Sequence, residues 1–403
     1  MTRCPLPAAA AALALAADTA CSGPSAPAAS SASPSAGAST GAGSSSAPPS
    51  SPAASQRFAQ LLPGMPAPLR ADDVWAADRA GLLAPQVRGV PVRVYVPNSK
   101  SNTVTVINPR TYRVVRTVAV GHQPQHVVPS WDLRTLWVNN DLGNSLTPIN
   151  PRTGKFGKPV HVADPYNLYF TPDGKAAIVM ASALHRLVFH DPRTMKVRRS
   201  LPVPCSGVNH ADFTADGRRF LVSCEFSGEL LVVDTAARRL LKVIRLRGSA
   251  ATMPQDVKLS TDGSVFFVAD MMRNGAWIVD ARTMRVTRFL HTGKGAHGLY
   301  VTRDSRRLLV TNREEGSISV IDMTSRKIVD TWHIRGGGSP DMGGLSPDGK
   351  VFWVSGRYDG VVYAISTRTG RLIRKIRVGS GPHGLSVFPQ PGRYSLGHTG
   401  VFR

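Results

Sequence analysis

Residue pairs with at least one polar side chain recur at one fixed place in a repeat of a little over 40 residues. The seven pairs are Gln125 and His126, Tyr166 and Asn167, Asn209 and His210, Gln255 and Asp256, His297 and Gly298, Asp341 and Met342, and His383 and Gly384. Four pairs contain histidine and two contain aspartate. Imidazole and carboxylate groups bind copper, zinc and iron, and histidine also ligates haem iron. If brought together, these side chains could hold copper, a haem-like tetrapyrrole or a small polar ligand.

The repeat predicts the architecture that would bring the pairs together. Each copy contains an apolar run, a turn of the D-G type and a second apolar run, most clearly from Pro165, Pro254 and Pro340. Variant copies begin at Pro124, Val208, Ala296 and Pro382. Short strands with this period indicate a propeller of four-stranded blades. The first strand of every blade lines the central channel of a propeller, so all seven pairs would meet at one mouth.

The two ends of the repeat region are out of phase with the blades. The region opens on a second-strand pattern at Val94 to Val96 and closes on a first strand from Pro382 to Phe388. We therefore expect one blade to take its first strand from the C-terminal end and its other three strands from residues 92–120. The predicted fold is all-β, a seven-bladed β-propeller over residues 92–403 including a C-terminal tail, without exposed edges at its closure.

The recurring strand endings and turns carry a family resemblance. The V-x-N ending at Val138 and Asn139, the S-P-D-G turn from Ser346 and the V-I-D pattern at Ile321 and Asp322 resemble the YVTN-repeat (YncE-like) β-propellers. The resemblance covers about residues 92–388 and implies an exported protein related to the propeller of cytochrome d1. Members and relatives include tetrapyrrole binders and candidate nucleic-acid binders. The resemblance implies the fold and leaves the activity open, because repeat residues hold blades together.

Among the mouth residues, His126 and His383 are the first candidates for metal ligands, because the ring closes between their blades. His297 and His210 are the next candidates. The alternative is a water-filled channel whose polar groups solvate strand ends, with the histidines too far apart to share one ion. The loops that begin with Arg313 and Arg357 are predicted to be surface turns.

Two cysteines lie within the repeats, one before and one at the end of a predicted hairpin. In an exported protein Cys205 and Cys224 favour a disulfide. Two free thiols, or a copper site that combines the thiolates with His210, are the alternatives.

The N-terminus has the pattern of an export signal. Residues 1–21 form the predicted signal peptide, of lipoprotein type if Cys21 is lipidated, or cleaved near Ala16 or Ala20; a retained disordered tail is the third alternative. Residues 22–55 are a Ser/Ala/Pro/Gly-rich tether. Residues 56–91 are expected to pack around the outside of the ring. These patterns predict an extracytoplasmic protein, secreted or anchored to a membrane by lipid alone.

The charge is +23, from 49 Lys and Arg against 26 Asp and Glu, which favours anionic partners. No G-x-S-x-G, P-loop, H-E-x-x-H or C-x-x-C-H motif occurs, and no pair of glutamates recurs at the mouth, so catalysis is not predicted. The first hypothesis is a monomeric binding or scaffold protein that recognises a small polar ligand or an envelope protein at the mouth. The alternatives are a metal- or tetrapyrrole-binding redox protein or carrier, and a binder of nucleic acid or another polyanion.

Overall fold

A computed structural model describes residues 60–403 and has seven four-stranded antiparallel sheets in this range. The sheets are the blades of a β-propeller, which confirms the predicted fold class. The predicted signal peptide, Cys21 and the tether lie outside the described residues. Within residues 60–403 no helix is long and apolar enough to span a bilayer. The helices described are single 3-10 turns at Ala76–Asp78, Pro85–Val87 and Ser249–Ala251.

The strands follow one another from the channel outward in each blade. In chain order they are β1 (Arg93–Asn98), β2 (Thr103–Asn108), β3 (Arg113–Ala119), β4 (Pro124–Pro129), β5 (Leu136–Asn140), β6 (Ser145–Ile149), β7 (Val160–His161), β8 (Asn167–Phe170), β9 (Ala177–Ala181), β10 (Arg186–His190), β11 (Val197–Pro202), β12 (Val208–Phe213), β13 (Arg219–Cys224) and β14 (Glu229–Asp234). They continue as β15 (Arg239–Arg245), β16 (Pro254–Leu259), β17 (Val265–Asp270), β18 (Gly275–Asp280), β19 (Arg285–His291), β20 (Ala296–Val301), β21 (Arg307–Asn312), β22 (Ser317–Asp322), β23 (Lys327–His333), β24 (Pro340–Leu345), β25 (Val351–Gly356), β26 (Val361–Ser366), β27 (Leu372–Arg377) and β28 (Ser386–Phe388).

The ring is closed by both ends of the repeat region, as predicted. Strand β28 pairs antiparallel with β1, with Arg93 opposite Phe388 and Tyr95 opposite Ser386. This blade therefore has the strand order β28-β1-β2-β3. The closure brings the loop before β28, which carries His383, beside β4, which carries His126.

Burial decreases from the channel to the outside of each blade. Every residue of β12, β16, β20 and β24 is buried, whereas β3 and β11 are exposed at most positions. The second and third strands are rich in Val, Ile, Leu and Phe because they are packed on both faces between neighbouring blades. The inner strands are buried although they carry His, Asn and Asp, so their polar groups must find partners within the protein.

The turns between the first and second strands of the blades share one hydrogen-bond pattern. In the hairpin of β8 and β9, the Thr171 hydroxyl donates to Asp173 at 2.6 Å, and Gly174 has a φ of +67°. A side chain at Gly174 would also meet Trp131, so the left-handed glycine is required here. We call the end of the channel that carries these turns the hairpin face and the opposite end, where the first strands begin, the mouth.

The segment before the propeller lies against the hairpin face rather than around the outer edge of the ring. Leu62 N–H donates to Asp216 O at 2.8 Å, and Val74 N–H donates to Thr261 O at 2.9 Å. The Trp75 indole donates to Leu259 O at 3.0 Å. These partners lie in or beside hairpins of successive blades, so the segment crosses several blades at their turns.

The C-terminal tail fills the channel from the hairpin face. Phe170 N–H donates to Leu396 O at 2.9 Å, and His398 N–H donates to Leu168 O at 2.9 Å, so the tail runs along the innermost strand β8. At its end the Arg403 guanidinium contacts both oxygens of Asp212, at 2.8 and 3.1 Å. The tail thereby places His398 inside the ring.

Candidate functional site

A break in strand register places the polar pairs in the channel. The first strands β4, β12, β16, β20 and β24 each pair at their first residue and then shift in register by one position. Such bulges turn side chains out of the regular ladder. Asn209 and Asp256 stabilise the break with their own side chains, because Oδ1 of each accepts the next backbone N–H at 2.8 Å.

Five buried histidines form one cluster in the channel, called here the histidine cluster: His126, His210, His297, His383 and His398. Neighbouring ring centroids lie 4.8 Å apart for His126 and His383, 4.7 Å for His210 and His398, and 5.9 Å for His297 and His383. The histidine rings are therefore close neighbours in the channel. Each of these residues is at most 2% exposed.

Backbone carbonyls determine the tautomer of two of these histidines. His126 Nδ1 lies 2.9 Å from Tyr166 O, and His383 Nδ1 lies 3.1 Å from Gln125 O. A carbonyl only accepts hydrogen bonds, so Nδ1 carries the proton in both rings and Nε2 carries a lone pair. His126 Nε2 is buried without a hydrogen-bond partner. These two Nε2 atoms are therefore available as metal ligands.

The side-chain amide of Asn167 sets the opposite tautomer in His210 and His398. Its Oδ1 accepts Leu168 N–H at 2.9 Å, which directs Nδ2 toward Nδ1 of His210 and of His398, each at 3.1 Å. An amide nitrogen donates, so both Nδ1 atoms accept and both Nε2 atoms carry protons. His210 and His398 thus present N–H groups, while His126 and His383 present lone pairs.

Asp341 lies on the mouth side of the histidine cluster, close to ring nitrogens of histidines and to guanidinium nitrogens of arginines. Its Oδ1 is 3.1 Å from His297 Nδ1 and 2.9 Å from Arg313 Nη2. Its Oδ2 is 3.5 Å from His383 Nε2 and 3.9 Å from Arg357 Nε. Within residues 60–403, neither oxygen accepts a hydrogen bond of good geometry, and His297 Nδ1 has no hydrogen-bond partner either. Asp341 is therefore a buried carboxylate whose closest charged neighbours are the guanidinium groups of Arg313 and Arg357.

Two sets of three side chains have the spacing of metal ligands. One is His297, Asp341 and His383, and the other is His126, His210 and His398; in each set one potential ligand atom per residue lies within 4.8 Å of the others. In the second set the Asn167 amide competes for His210 and His398. The first set, with His126 adjacent to it, therefore has the better donors.

Burial keeps the cluster uncharged. Desolvation lowers the pKa of His126 to about 3 and lowers the pKa of His210, His297, His383 and His398 well below the usual value. Nearby Arg313 and Arg357 lower the pKa of His297 and His383 further. Neutral imidazole is the form that binds metal ions. Burial also raises the pKa of Asp341, and the same two arginines oppose that rise.

The other residues predicted at the mouth surround the histidine cluster and make hydrogen bonds that stabilise it. Gln125 and Tyr166 supply the carbonyls described above, and Asn209 donates to Glu225 at 3.1 Å and to Gln255 at 3.4 Å. Asp256 Oδ2 accepts Leu299 N–H at 2.9 Å and lies 3.7 Å from Lys258 Nζ. Burial raises the pKa of Asp256 to about 6. Asp256 is occupied by these contacts and lies 3.7 Å from His398 Nε2.

Three residues of the site were missed at the sequence level. Arg313 and Arg357 do lie in turns, as predicted, but their guanidinium groups approach Asp341, and Arg313 is only 9% exposed. Their position after V-x-N strands does place them at the mouth, and this signal could have identified them. His398 lies beyond the repeats, and no periodic signal indicates that the tail enters the channel.

The two repeat cysteines are joined in the structure. Cys205 and Cys224 form a disulfide, with their Cα atoms 6.0 Å apart. Both sulfurs are therefore used in the covalent bond, which leaves no thiolate to combine with His210 in a copper site. The disulfide ties the loop before β12 to the end of β13.

The mouth leaves a partly exposed rim above the cluster. Tyr166, Glu225 and Arg357 are partly exposed there, and Tyr358 is 66% exposed. Arg313 Nη1 donates to Tyr358 Oη at 3.3 Å, and its guanidinium lies 5.9 Å from the centre of that ring. The Tyr358 side chain therefore lies between the Arg313 guanidinium and the solvent.

Solved structures similar to this one share its fold at low sequence identity. Hydrazine synthase of Kuenenia stuttgartiensis is 20% identical, with a TM-score of 0.58 over 68% of this chain and 92% of that one. A protein of unknown function from Desulfotomaculum acetoxidans DSM 771 is 15% identical, with a TM-score of 0.61 over 73% and 98%. The dihydro-heme d1 dehydrogenase NirN, in complex with DHE, is 16% identical, with a TM-score of 0.57 over 84% and 83%.

No curated protein sequence matches this chain. The sequence profile of the YncE-like β-propellers matches residues 76–391, which covers the blades and the second half of the described segment that precedes them. Together with the seven blades and their closure, this match confirms the resemblance inferred from the repeat: the chain belongs to the YncE-like β-propeller family.

Proposed function

We propose that this propeller binds one divalent transition-metal ion in its channel. The donors are His383 Nε2, His126 Nε2, a carboxylate oxygen of Asp341 and a ring nitrogen of His297. The proposal is the metal-binding alternative of the sequence analysis, narrowed to a single ion and to these four residues.

The contact between His383 and Asp341 carries the proposal. His383 Nδ1 uses its proton on the Gln125 carbonyl, so the lone pair of Nε2 faces Asp341 Oδ2 at 3.5 Å. Two buried acceptors at this distance repel each other unless a cation lies between them. An imidazolium proton is the competing explanation, and desolvation disfavours it by lowering the pKa of His383. A metal ion would satisfy both acceptors.

The donor set suits a borderline metal. Imidazole nitrogen with one carboxylate favours copper, zinc, iron and nickel over calcium and magnesium, which prefer oxygen ligands. Affinity for such a site rises along the first-row series to Cu²⁺. The carbonyls of Tyr166 and Gln125 orient the two histidine ligands, as outer-shell partners do in known metal sites.

The burial of the cluster weighs against the other hypotheses for these residues. A tetrapyrrole would have to separate rings that now lie 4.7 to 6.4 Å apart. A protein partner at the mouth would contact the rim formed by Tyr166, Arg357 and Tyr358 instead of the histidines, which are at most 2% exposed. Polyanion binding through the +23 charge and the extracytoplasmic location remain predictions from the sequence.

The test is a calorimetric titration of chelator-treated protein with Zn²⁺ and Cu²⁺. We expect one site per chain, and we expect His383→Asn to weaken binding by about 100-fold or more. Asparagine keeps a donor near the position of Nδ1 and removes Nε2, so the bond to Gln125 survives while the ligand is lost. The matched control is His333→Asn on the exposed end of β23, which should bind as the unaltered protein does.

Circular dichroism of both variants separates lost binding from lost folding. A folded His383→Asn protein that binds Zn²⁺ and Cu²⁺ as tightly as the control would contradict the proposal. So would an unaltered protein that takes up neither ion.

A further inference from the structure

Two buried N–H groups near the proposed ion have no hydrogen-bond acceptor among residues 60–403. Arg313 is 9% exposed, and its Nε has no hydrogen-bond partner although Nη1 and Nη2 contact Tyr358 and Asp341. His210 is fully buried, its Nε2 carries a proton because Nδ1 accepts from Asn167, and this Nε2 also lacks a partner. Buried donors of this kind are rare in folded proteins and call for an acceptor.

The charges around the ion point to an acceptor that is negative. Arg313 and Arg357 lie within 4 Å of Asp341, and Glu225 is a further carboxyl group that interacts with Arg313. Among these four groups, the two carboxylates only balance the two arginines even with Glu225 ionised. A divalent ion would then leave two positive charges without compensation in a buried site. Charge of this size is unfavourable in a region that excludes water.

The proposed protein donors also leave room on the metal. Metal sites with three protein ligands keep a fourth position for an exogenous group, and such sites can expand to five-coordination, so four protein donors still leave a fifth position. The rings of the cluster are in contact with one another, because neighbouring centroids lie 4.7 to 6.4 Å apart, so a group bound at the ion must be small and lie on the side of Asp341 and Arg313. Arginine recognises planar oxyanions with two parallel N–H groups.

From these observations we infer that the metal-loaded channel binds a small oxyanion, such as a carboxylate, as a ligand shared by the ion, Arg313 and His210. This inference rests on the proposed metal site. The oxyanion would reach the ion from the mouth, where Tyr358 packs on Arg313 with 66% of its surface exposed.

The experiment uses Co²⁺ as the ion, because its visible spectrum reports the ligands. Protein loaded with Co²⁺ in a buffer without small oxyanions is titrated with acetate and, separately, with phosphate, at constant ionic strength with chloride as the balancing anion. We expect a saturable spectral change with at least one of the two oxyanions. A response to acetate alone assigns a carboxylate, and a response to phosphate alone assigns an inorganic oxyanion.

The variant Arg313→Gln should weaken oxyanion binding by about tenfold or more, because it removes a charge-assisted donor. The same variant should bind Co²⁺ more tightly, since it removes a positive charge beside Asp341. Arg306→Gln removes an equal charge from an exposed position and is the matched control. These opposite effects on the two ligands would not result from a general loss of structure.

The possible failures are distinguishable. Co²⁺ binding without any response to acetate or phosphate overturns the oxyanion inference and leaves the metal site intact. Equal oxyanion affinity in Arg313→Gln and Arg306→Gln also overturns it. If the unaltered protein does not bind Co²⁺, the metal site fails and the inference fails with it.

Discussion

His126 and His383 lie at opposite ends of the propeller sequence, yet their ring centroids are 4.8 Å apart. The contact exists because β28 pairs with β1 and completes the blade next to β4. Closure of the ring and assembly of the histidine cluster are thus one structural event. A change that opens the ring should also abolish the site.

Truncation after Val378 should prevent formation of the native ring. It removes β28, His383 and the tail, and leaves β1 with an unpaired inner edge. Truncation after Gln390 is the control, because it keeps β28 and removes only the tail that fills the channel. We expect the shorter protein to lose its cooperative thermal transition in circular dichroism and the control to retain one at a lower temperature. Native-like melting of the shorter protein would show that the closing strand is dispensable.

The Cys205–Cys224 disulfide should stabilise the fold measurably. It closes a loop with a sequence separation of 19, and loops of this size contribute about 3 kcal/mol in the chain-entropy account. The double variant Cys205→Ala, Cys224→Ala should therefore unfold at lower urea concentration, and dithiothreitol should have little further effect on it. An unchanged urea midpoint would mean that the bond contributes nothing to stability.

The Arg403–Asp212 ion pair should be important for seating the tail. Both side chains are buried, and the guanidinium also lies 3.7 Å from the centre of the Trp75 ring. Replacing one partner leaves the other charge buried and alone, so Arg403→Met should cost about 3 kcal/mol or more in the free energy of unfolding. Adding Asp212→Asn to Arg403→Met should recover part of the loss. No recovery in denaturant titrations would contradict a paired role.

His126 should make the protein more sensitive to acid. Desolvation lowers its pKa from 6.5 to about 3 in the folded state, so between these pH values the unfolded chain binds a proton that the folded chain does not. This contribution to stability is full above pH 6.5 and is lost as the pH falls toward 3. The free energy of unfolding of the unaltered protein, relative to His126→Asn, should fall by up to about 1.4 kcal/mol per pH unit in this window.

The comparison uses the difference in free energy of unfolding between the unaltered protein and His126→Asn. This is necessary because buried carboxylic acids change stability with pH in the opposite direction. The pKa of Asp78 is raised to about 7 and that of Asp256 to about 6, mainly by burial, so these groups favour folding at lower pH. Their effect cancels when both proteins carry them. A difference that stays constant from pH 7 to pH 4 in denaturant titrations, without metal, would contradict a neutral buried His126.

The repeat pattern was sufficient to predict the blades and their closure. The phase of Val94 to Val96 relative to Pro382 to Phe388 required one blade to be shared by both ends, and strand pairing alone then brought His126 beside His383. The position of each polar pair within its repeat predicted where the side chains meet. These inferences hold because strand periodicity and blade order are local and repetitive.

The chemistry of the cluster depends on contacts that do not repeat. Asn167 acts on His210 and His398 through one amide, and no periodic pattern indicates which ring nitrogen it reaches. The path of the tail is set by Arg403 and Asp212, far from the repeat signal. The burial of Arg313 depends on Asp341 in the next blade. The sequence therefore indicated four histidines of the cluster. It did not indicate which ring nitrogens carry protons, or that His398 is the fifth histidine.

The measurement that tests the central claim most directly is an anomalous difference map from crystals of the protein grown with Zn²⁺, recorded on both sides of the zinc absorption edge. The metal-site account predicts a peak between His383 Nε2 and Asp341, within bonding distance of both. A map with no peak in the channel, or with zinc only at exposed histidines such as His333, would contradict it.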